Sequence, residues 1–193
     1  SNTPPTITTL SNQTTTVNTA TAAIPFTIGD AETNAASLLL SAFSANTNLV
    51  PTNKIVFGGS GASRTVTVTP ASNQLGAATI TLTVSDGALS ASNSFVLTVN
   101  PALLTVTESN AIRSYGLTNP VLAGSLAGVQ AGDNITASFS SPAATNSPVG
   151  IYPINFALFD PNNKLGNYTL TTNNGTLTVT HALLTVPENG ASR

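Results

Sequence analysis

The clearest order in this chain is an alternation of apolar and hydroxyl residues with period two. Over residues 64–69, Val66 and Val68 fall on one face while Thr65, Thr67 and Thr69 fall on the other, the pattern of a strand with one buried face. Ile80, Leu82 and Val84 alternate with Thr79, Thr81, Thr83 and Ser85 in the same way, and Phe95, Leu97 and Val99 continue it. Further strands are expected at 14–17, 24–28, 37–43 and 55–57, separated by turn-rich stretches such as Gly29-Asp30 and Gly58-Gly59-Ser60-Gly61. The stretch 31–40 reads equally as a helix or as a loop that leads into a strand. About seven short strands within roughly 100 residues predict a β-sandwich over 1–100.

After Pro101 the pattern restarts. Strands are expected at 103–107, 121–122, 135–139, 150–158, 168–171 and 176–180, with Asn174-Gly175 between the last two as a hairpin turn. The whole chain is therefore read as all-β: two tandem antiparallel β-sandwich (Ig-like) domains, 1–100 and 101–180, the second smaller. The segment Pro101-Ala-Leu-Leu-Thr-Val-Thr-Glu-Ser-Asn-Ala-Ile-Arg113 recurs as His181-Ala-Leu-Leu-Thr-Val-Pro-Glu-Asn-Gly-Ala-Ser-Arg193, 80 positions later. Residues 181–193 thus read as the opening strand of a further repeat. Either the chain is a fragment of a tandem array, or it is a subunit that donates this strand.

Composition narrows the function classes. Only 6% of the 193 residues are charged, and 32 Thr, 21 Asn and 20 Ser supply the polar surface instead. With 40% hydrophobic residues and a net charge of −2, the chain is too apolar for intrinsic disorder. Its five basic residues, at 54, 64, 113, 164 and 193, are scattered, which argues against nucleic acid and anionic membranes as partners. No apolar run approaches the roughly 20 residues that span a bilayer, and no charged-then-apolar leader opens the sequence, so membrane insertion of this segment is not expected. The absence of Cys excludes thiolate catalysis, Cys-ligated zinc, iron–sulfur clusters and disulfides. Without Cys or Met, and with a Thr/Asn/Ser surface, the chain fits an extracellular or bacterial cell-surface location.

Three stretches of the first domain carry a family resemblance: Ile24-Pro-Phe-Thr-Ile-Gly-Asp-Ala-Glu-Thr33, the segment 55–70, and Ala78-Thr-Ile-Thr-Leu-Thr-Val-Ser-Asp-Gly87. This domain resembles the bacterial cadherin-like or Ig-like repeats of large secreted and surface proteins. The second domain is similar to an MBG domain of the Tyr-Gly type, through Arg113-Ser-Tyr-Gly116, Gly132-Asp-Asn-Ile-Thr136, Pro148-Val-Gly-Ile-Tyr152 and Asn167-Tyr-Thr-Leu170. The resemblance implies a bead of an extracellular adhesin, stalk or filament, with neighbouring repeats or identical subunits docked head-to-tail, and no reaction.

Candidate sites follow from the scarce charged groups. Asp30, Glu32 and Asp86 offer oxygen ligands suited to calcium, which cadherin-like repeats hold at their ends; the competing expectation is that Asp30 and Asp86 shape turns beside Gly29 and Gly87. His181, Ala182, Leu183, Leu184, Thr185 and Val186 form the candidate donated strand. His181, the single histidine, has no acidic or Cys cluster near it in sequence and reads as a linker residue rather than a catalyst or ligand. Lys54 and Lys164, one in each domain, raise the thought of a Lys–Asn isopeptide staple, yet both lie in Asn- and Pro-rich loop sequence. The Thr-x-Thr ladders read as outward strand filler rather than an ice- or sugar-facing array. The aromatics are expected in the cores, with Phe139, Phe156 and Phe159 filling the second and Tyr115 and Tyr152 bonding backbone at its corners.

Overall fold

The computed structural model describes residues 1–185 and divides the chain into two compact units, Ser1–Ala102 and Leu103–Arg193. Both are built of strands, with three single turns of 3-10 helix at Ala35–Ser37, Thr52–Lys54 and Leu165–Asn167. Among the described residues no helix is long and apolar enough to cross a membrane.

The first unit holds β1 (Thr6–Ile7), β2 (Gln13–Thr16), β3 (Ile24–Gly29), β4 (Leu39–Ser44), β5 (Ile55–Ser60), β6 (Ser63–Val68), β7 (Gly76–Ser85) and β8 (Ser90–Asn100). They form two four-stranded sheets of order β1-β3-β6-β5 and β2-β8-β7-β4. The period-two pattern sets the faces. Ile80, Leu82, Val84, Phe95, Leu97 and Val99 are buried from one sheet, and Phe26, Ile28, Val66 and Val68 from the other. The ring of Phe26 meets that of Phe57 edge-on at 6.2 Å. The ambiguous stretch 31–40 is a loop, a 3-10 turn capped by the Asn34 side chain, and then β4. Not every ladder is antiparallel, because β2 runs parallel to β8, pairing Gln13 with Leu97 and Thr16 with Asn100.

The outer face of the second sheet is a hydroxyl array. Thr81 bonds Ser94 at 2.8 Å and Thr83 bonds Ser92 at 3.1 Å across the β7–β8 ladder. Phe43, expected in the core, instead stands in the row of Thr81 and is 62% exposed, since β4 directs its odd-numbered residues outward.

The second unit holds β9 (Ala102–Glu108), β10 (Ala111–Ser114), β11 (Gly124–Ala127), β12 (Thr136–Ser140), β13 (Gly150–Pro153), β14 (Asn155–Phe159), β15 (Tyr168–Asn173) and β16 (Thr176–Thr180). They make two three-stranded sheets, β10-β16-β13 and β11-β9-β15, and the antiparallel pair β12-β14. Leu104, Val106, Leu177 and Val179 are fully buried, and Tyr152, Leu122 and Phe139 pack against the cluster of Ala143, Ile154 and Leu177.

Four expectations for this unit are corrected. The stretch 150–158 is two strands in different sheets, broken at buried Ile154. The strand expected at 121–122 lies at Gly124–Ala127, and Val121 is 97% exposed. Phe159 faces solvent, at 66% exposure. Asn174-Gly175 is no hairpin turn, because β15 joins the sheet of β9 while β16 joins that of β10.

Candidate functional site

Asp30 and Asp86 both shape turns. Asp30 Oδ1 accepts the backbone N–H groups of Glu32 at 2.9 Å and Thr33 at 2.6 Å. Asp86 Oδ1 accepts those of Ala88 and Leu89, both at 2.7 Å, and its Oδ2 accepts from the Asn2 amide at 2.8 Å. Glu32 accepts the Thr3 hydroxyl at 2.8 Å and the Thr3 N–H at 3.2 Å. Both acidic loops thus fasten the opening segment of the first unit. Among the described residues no group of three or more His, Cys, Asp or Glu is arranged to hold a metal ion.

The Leu89 and Ala88 N–H groups, then the Asn2 amide, hold the Asp86 carboxyl below its ordinary value of 3.8. A depressed carboxylate contributes stability above its unfolded pKa that is lost as pH falls through the folded one. Asp86→Asn is therefore expected to flatten the acid limb of the first unit's stability curve below about pH 4, read by urea denaturation at stepped pH. An unchanged limb would show that this turn is not anchored through its charge.

The expected strand at 181–186 is described only through Thr185, and Val186 lies outside the described residues. Residues 181–185 form no strand, and Leu183 and Leu184 are 90% and 87% exposed. Lys54 is exposed and Lys164 half-buried, each in or beside a 3-10 turn.

The buried polar groups lie elsewhere. Glu108, Arg113 and Asp133 are each less than 8% exposed, in a chain with only 5 basic and 7 acidic residues. Each of the three joins separate segments of the second unit. Glu108 Oε2 accepts the Gly175 N–H at 2.8 Å, and Asn110 Oδ1 accepts that of Thr176 at 2.8 Å, so the end of β9 clamps the β15–β16 connection. Gly175 is required there by proximity, since a Cβ would sit 2.8 Å from the Glu108 carbonyl oxygen. An open cleft of about 430 Å³ lies beside this clamp, bordered by Ile151, Tyr152, Phe156 and Asn174.

Arg113, buried on β10, forks to three acceptors. Its Nε donates to Asn119 Oδ1 at 2.6 Å, and its two terminal nitrogens donate to the carbonyls of Ser114 and Ala144. The Asn119 amide adds a bond to the Ala143 carbonyl at 2.7 Å. The loops before β11 and after β12 are thereby tied to one guanidinium, a planar multi-donor task for which Arg is suited.

The third tie runs from the Tyr168 hydroxyl, which donates to Asp133 and accepts the Gln130 N–H at 2.8 Å. Burial, and then the bond to Asp133, raise the Tyr168 phenol above its usual 10. Reading for corner tyrosines finds Tyr152, whose hydroxyl donates to the Pro148 carbonyl at 2.7 Å, and misses Tyr168. Tyr115 is 45% exposed instead. The signal for Glu108 and Arg113 was present in the repeat, which retains both as Glu188 and Arg193. Together these groups join backbone to backbone.

No curated protein matches the chain. Among solved structures it is similar to the titin domains Z1Z2, solved in complex with telethonin, at 13% identity and TM-score 0.53, over 95% of this chain and 100% of that one. Human protocadherin-24 EC1-2 is 11% identical at TM-score 0.40, covering 95% and 100%, and the tandem Ig repeats of Dlar are 11% identical at 0.38, covering 93% and 99%. The titin likeness bears on fold alone and supports all-β, Ig-like sandwich domains. Residues 104–178, which include Tyr115-Gly116 and all three buried ties, match the MBG domain family of the YGX type.

Proposed function

We propose that this chain is a non-enzymatic structural module, a spacer or scaffold segment of an extracellular bacterial surface repeat protein whose first unit is a cadherin-like or Ig-like repeat. One observation carries the reading: three of the scarce charged side chains are buried, and each fastens one loop or strand end to another. Such ties resist local opening under load, because a buried polar group that loses its partner costs about 1–3 kcal/mol. The hydroxyl surface gives salt little to screen. The 80-residue repeat supports a tandem array, with neighbouring repeats or identical subunits as partners.

Pulling on the two termini of the full chain tests it. Each unit is expected to rupture separately, with a contour gain of roughly 30 nm at about 0.35 nm per residue, at forces unchanged between low and high salt. Gradual extension without rupture peaks would defeat the spacer reading.

The second reading, an adhesin-type binding module for glycan or a host surface, draws on the hydroxyl face of β7 and β8 flanked by exposed Phe43. Saturable binding of a soluble oligosaccharide, abolished by Phe43→Ala, would move the assignment there.

A further inference from the structure

Asn174-Gly175, which makes no hairpin turn, carries a chemistry of its own. In an Asn-Gly pair the backbone nitrogen of the glycine can attack Cγ of the asparagine, since the glycine has no side chain to obstruct the approach. The Gly N–H proton is lost, the C–N bond of the Asn amide breaks, and the amide leaves as ammonia, so that a cyclic succinimide joins the two residues. Water then opens the ring to aspartate or to isoaspartate, whose chain runs through the former side chain. Water is the only co-reactant.

The structure separates the two partners of that reaction. Asn174 is exposed, so solvent reaches its amide, whereas Gly175 is buried. Glu108 Oε2 accepts the Gly175 N–H at 2.8 Å, and the Gly175 carbonyl accepts the Ile154 N–H at 3.2 Å. On either side, the Asn173 amide donates to Thr107 Oγ1 at 3.1 Å and the Thr176 N–H donates to Asn110 Oδ1 at 2.8 Å. A Cβ on Gly175 would lie 2.8 to 3.0 Å from Glu108 atoms, which leaves this peptide little room to rotate in place. Attack also proceeds through the deprotonated nitrogen. A negative charge forming there faces the Glu108 carboxylate at hydrogen-bond distance, and like charges oppose it.

We infer that Asn174 is a latent deamidation site, and that Glu108 holds it shut by engaging the nucleophile. The close approach of the Glu108 backbone dictates glycine at 175, so the residue that creates the vulnerable pair also guards it. Opening of the clamp frees the Gly175 nitrogen and starts a reaction that runs one way. Either product sets a new carboxylate on the rim of the cleft that Glu108 also borders, and isoaspartate lengthens the backbone by a methylene. Both oppose closure, so an opening that lasts long enough becomes permanent. The inference rests on the clamp and not on the spacer reading.

The test incubates the full chain at mildly alkaline pH and follows aspartate and isoaspartate at position 174 by peptide mapping, which separates them from products at Asn189-Gly190. The urea-unfolded chain gives the unguarded rate. Asn174 of the folded parent should react slower than that by roughly tenfold or more. Glu108→Ala, with its second unit shown folded by tyrosine fluorescence, should react faster than the parent by roughly tenfold or more, as the loss of a hydrogen bond to a charged group requires. Arg113→Ala, which weakens the same unit without touching the clamp, should stay near the parent rate. A folded parent as fast as the unfolded chain overturns the inference. So does a Glu108→Ala rate no higher than the parent's, a lower one showing that Glu108 promotes the attack. Equal acceleration by Arg113→Ala overturns it too, because the protection would then come from the unit as a whole. If Glu108→Ala does not fold, Glu108→Gln decides: a faster reaction supports the guard, and an unchanged or slower one removes it.

Discussion

Arg113→Ala is expected to lower the stability of the second unit by about 3 kcal/mol, because the carbonyls of Ser114 and Ala144 and the Asn119 side chain lose their shared donor. With a urea slope of about 2 kcal/mol/M for a domain of this size, the midpoint should fall by roughly 1.5 M. The chain supplies its own probe. It has no Trp, and its three tyrosines, Tyr115, Tyr152 and Tyr168, all lie in the second unit, so tyrosine fluorescence reports that unit alone. Arg113→Lys should recover little, since an ammonium cannot reproduce the fork. A midpoint within error of the parent for Arg113→Ala would mean that water replaces the guanidinium at no cost, and the tie would lose its structural role.

Phe95→Ala is expected to cost the first unit about 4 kcal/mol while leaving the tyrosine transition in place. Phe95 is 2% exposed, pairs with Ile80 across the β7–β8 ladder, and is the largest fully buried side chain of the molecule among the described residues. Its removal opens a cavity that the flanking Leu82 and Leu97, both completely buried, have little room to fill. Circular dichroism should show the first unit melting earlier, with the fluorescence midpoint unmoved. If the two transitions shift together, the units unfold as one cooperative body and the division at Ala102 is not energetic.

Much of the strand content was legible in the sequence, for a physical reason. A strand with one buried face must alternate, and Thr65-Val66-Thr67-Val68 or Thr79 to Ser85 can hardly alternate otherwise. Those segments lie within β6 and β7, with Val66, Val68, Ile80, Leu82 and Val84 buried as the pattern requires. Asn174-Gly175 shows where local reading stops. The dipeptide favours a tight hairpin, yet Gly175 does not adopt a positive φ. It lies under the Glu108 backbone, where a side chain would collide, and the flanking strands leave for different sheets.

The candidate sites divide in the same way. Asx turns are made within a few residues, so the turn-shaping roles of Asp30 and Asp86 followed from their neighbours Gly29 and Gly87. Glu108, Arg113 and the Asp133–Tyr168 pair act across gaps of 31 to 67 positions. The sequence by itself determined that this chain is a run of short strands with hydroxyl outer faces, in two units, carrying a repeated segment. That follows from the period of side-chain burial, which is a local property of the backbone. Only the tertiary structure decided which sheet each strand enters, and that three of the few charged residues, Glu108, Arg113 and Asp133, are buried as fasteners, because both depend on which distant backbone groups must find partners when water is removed.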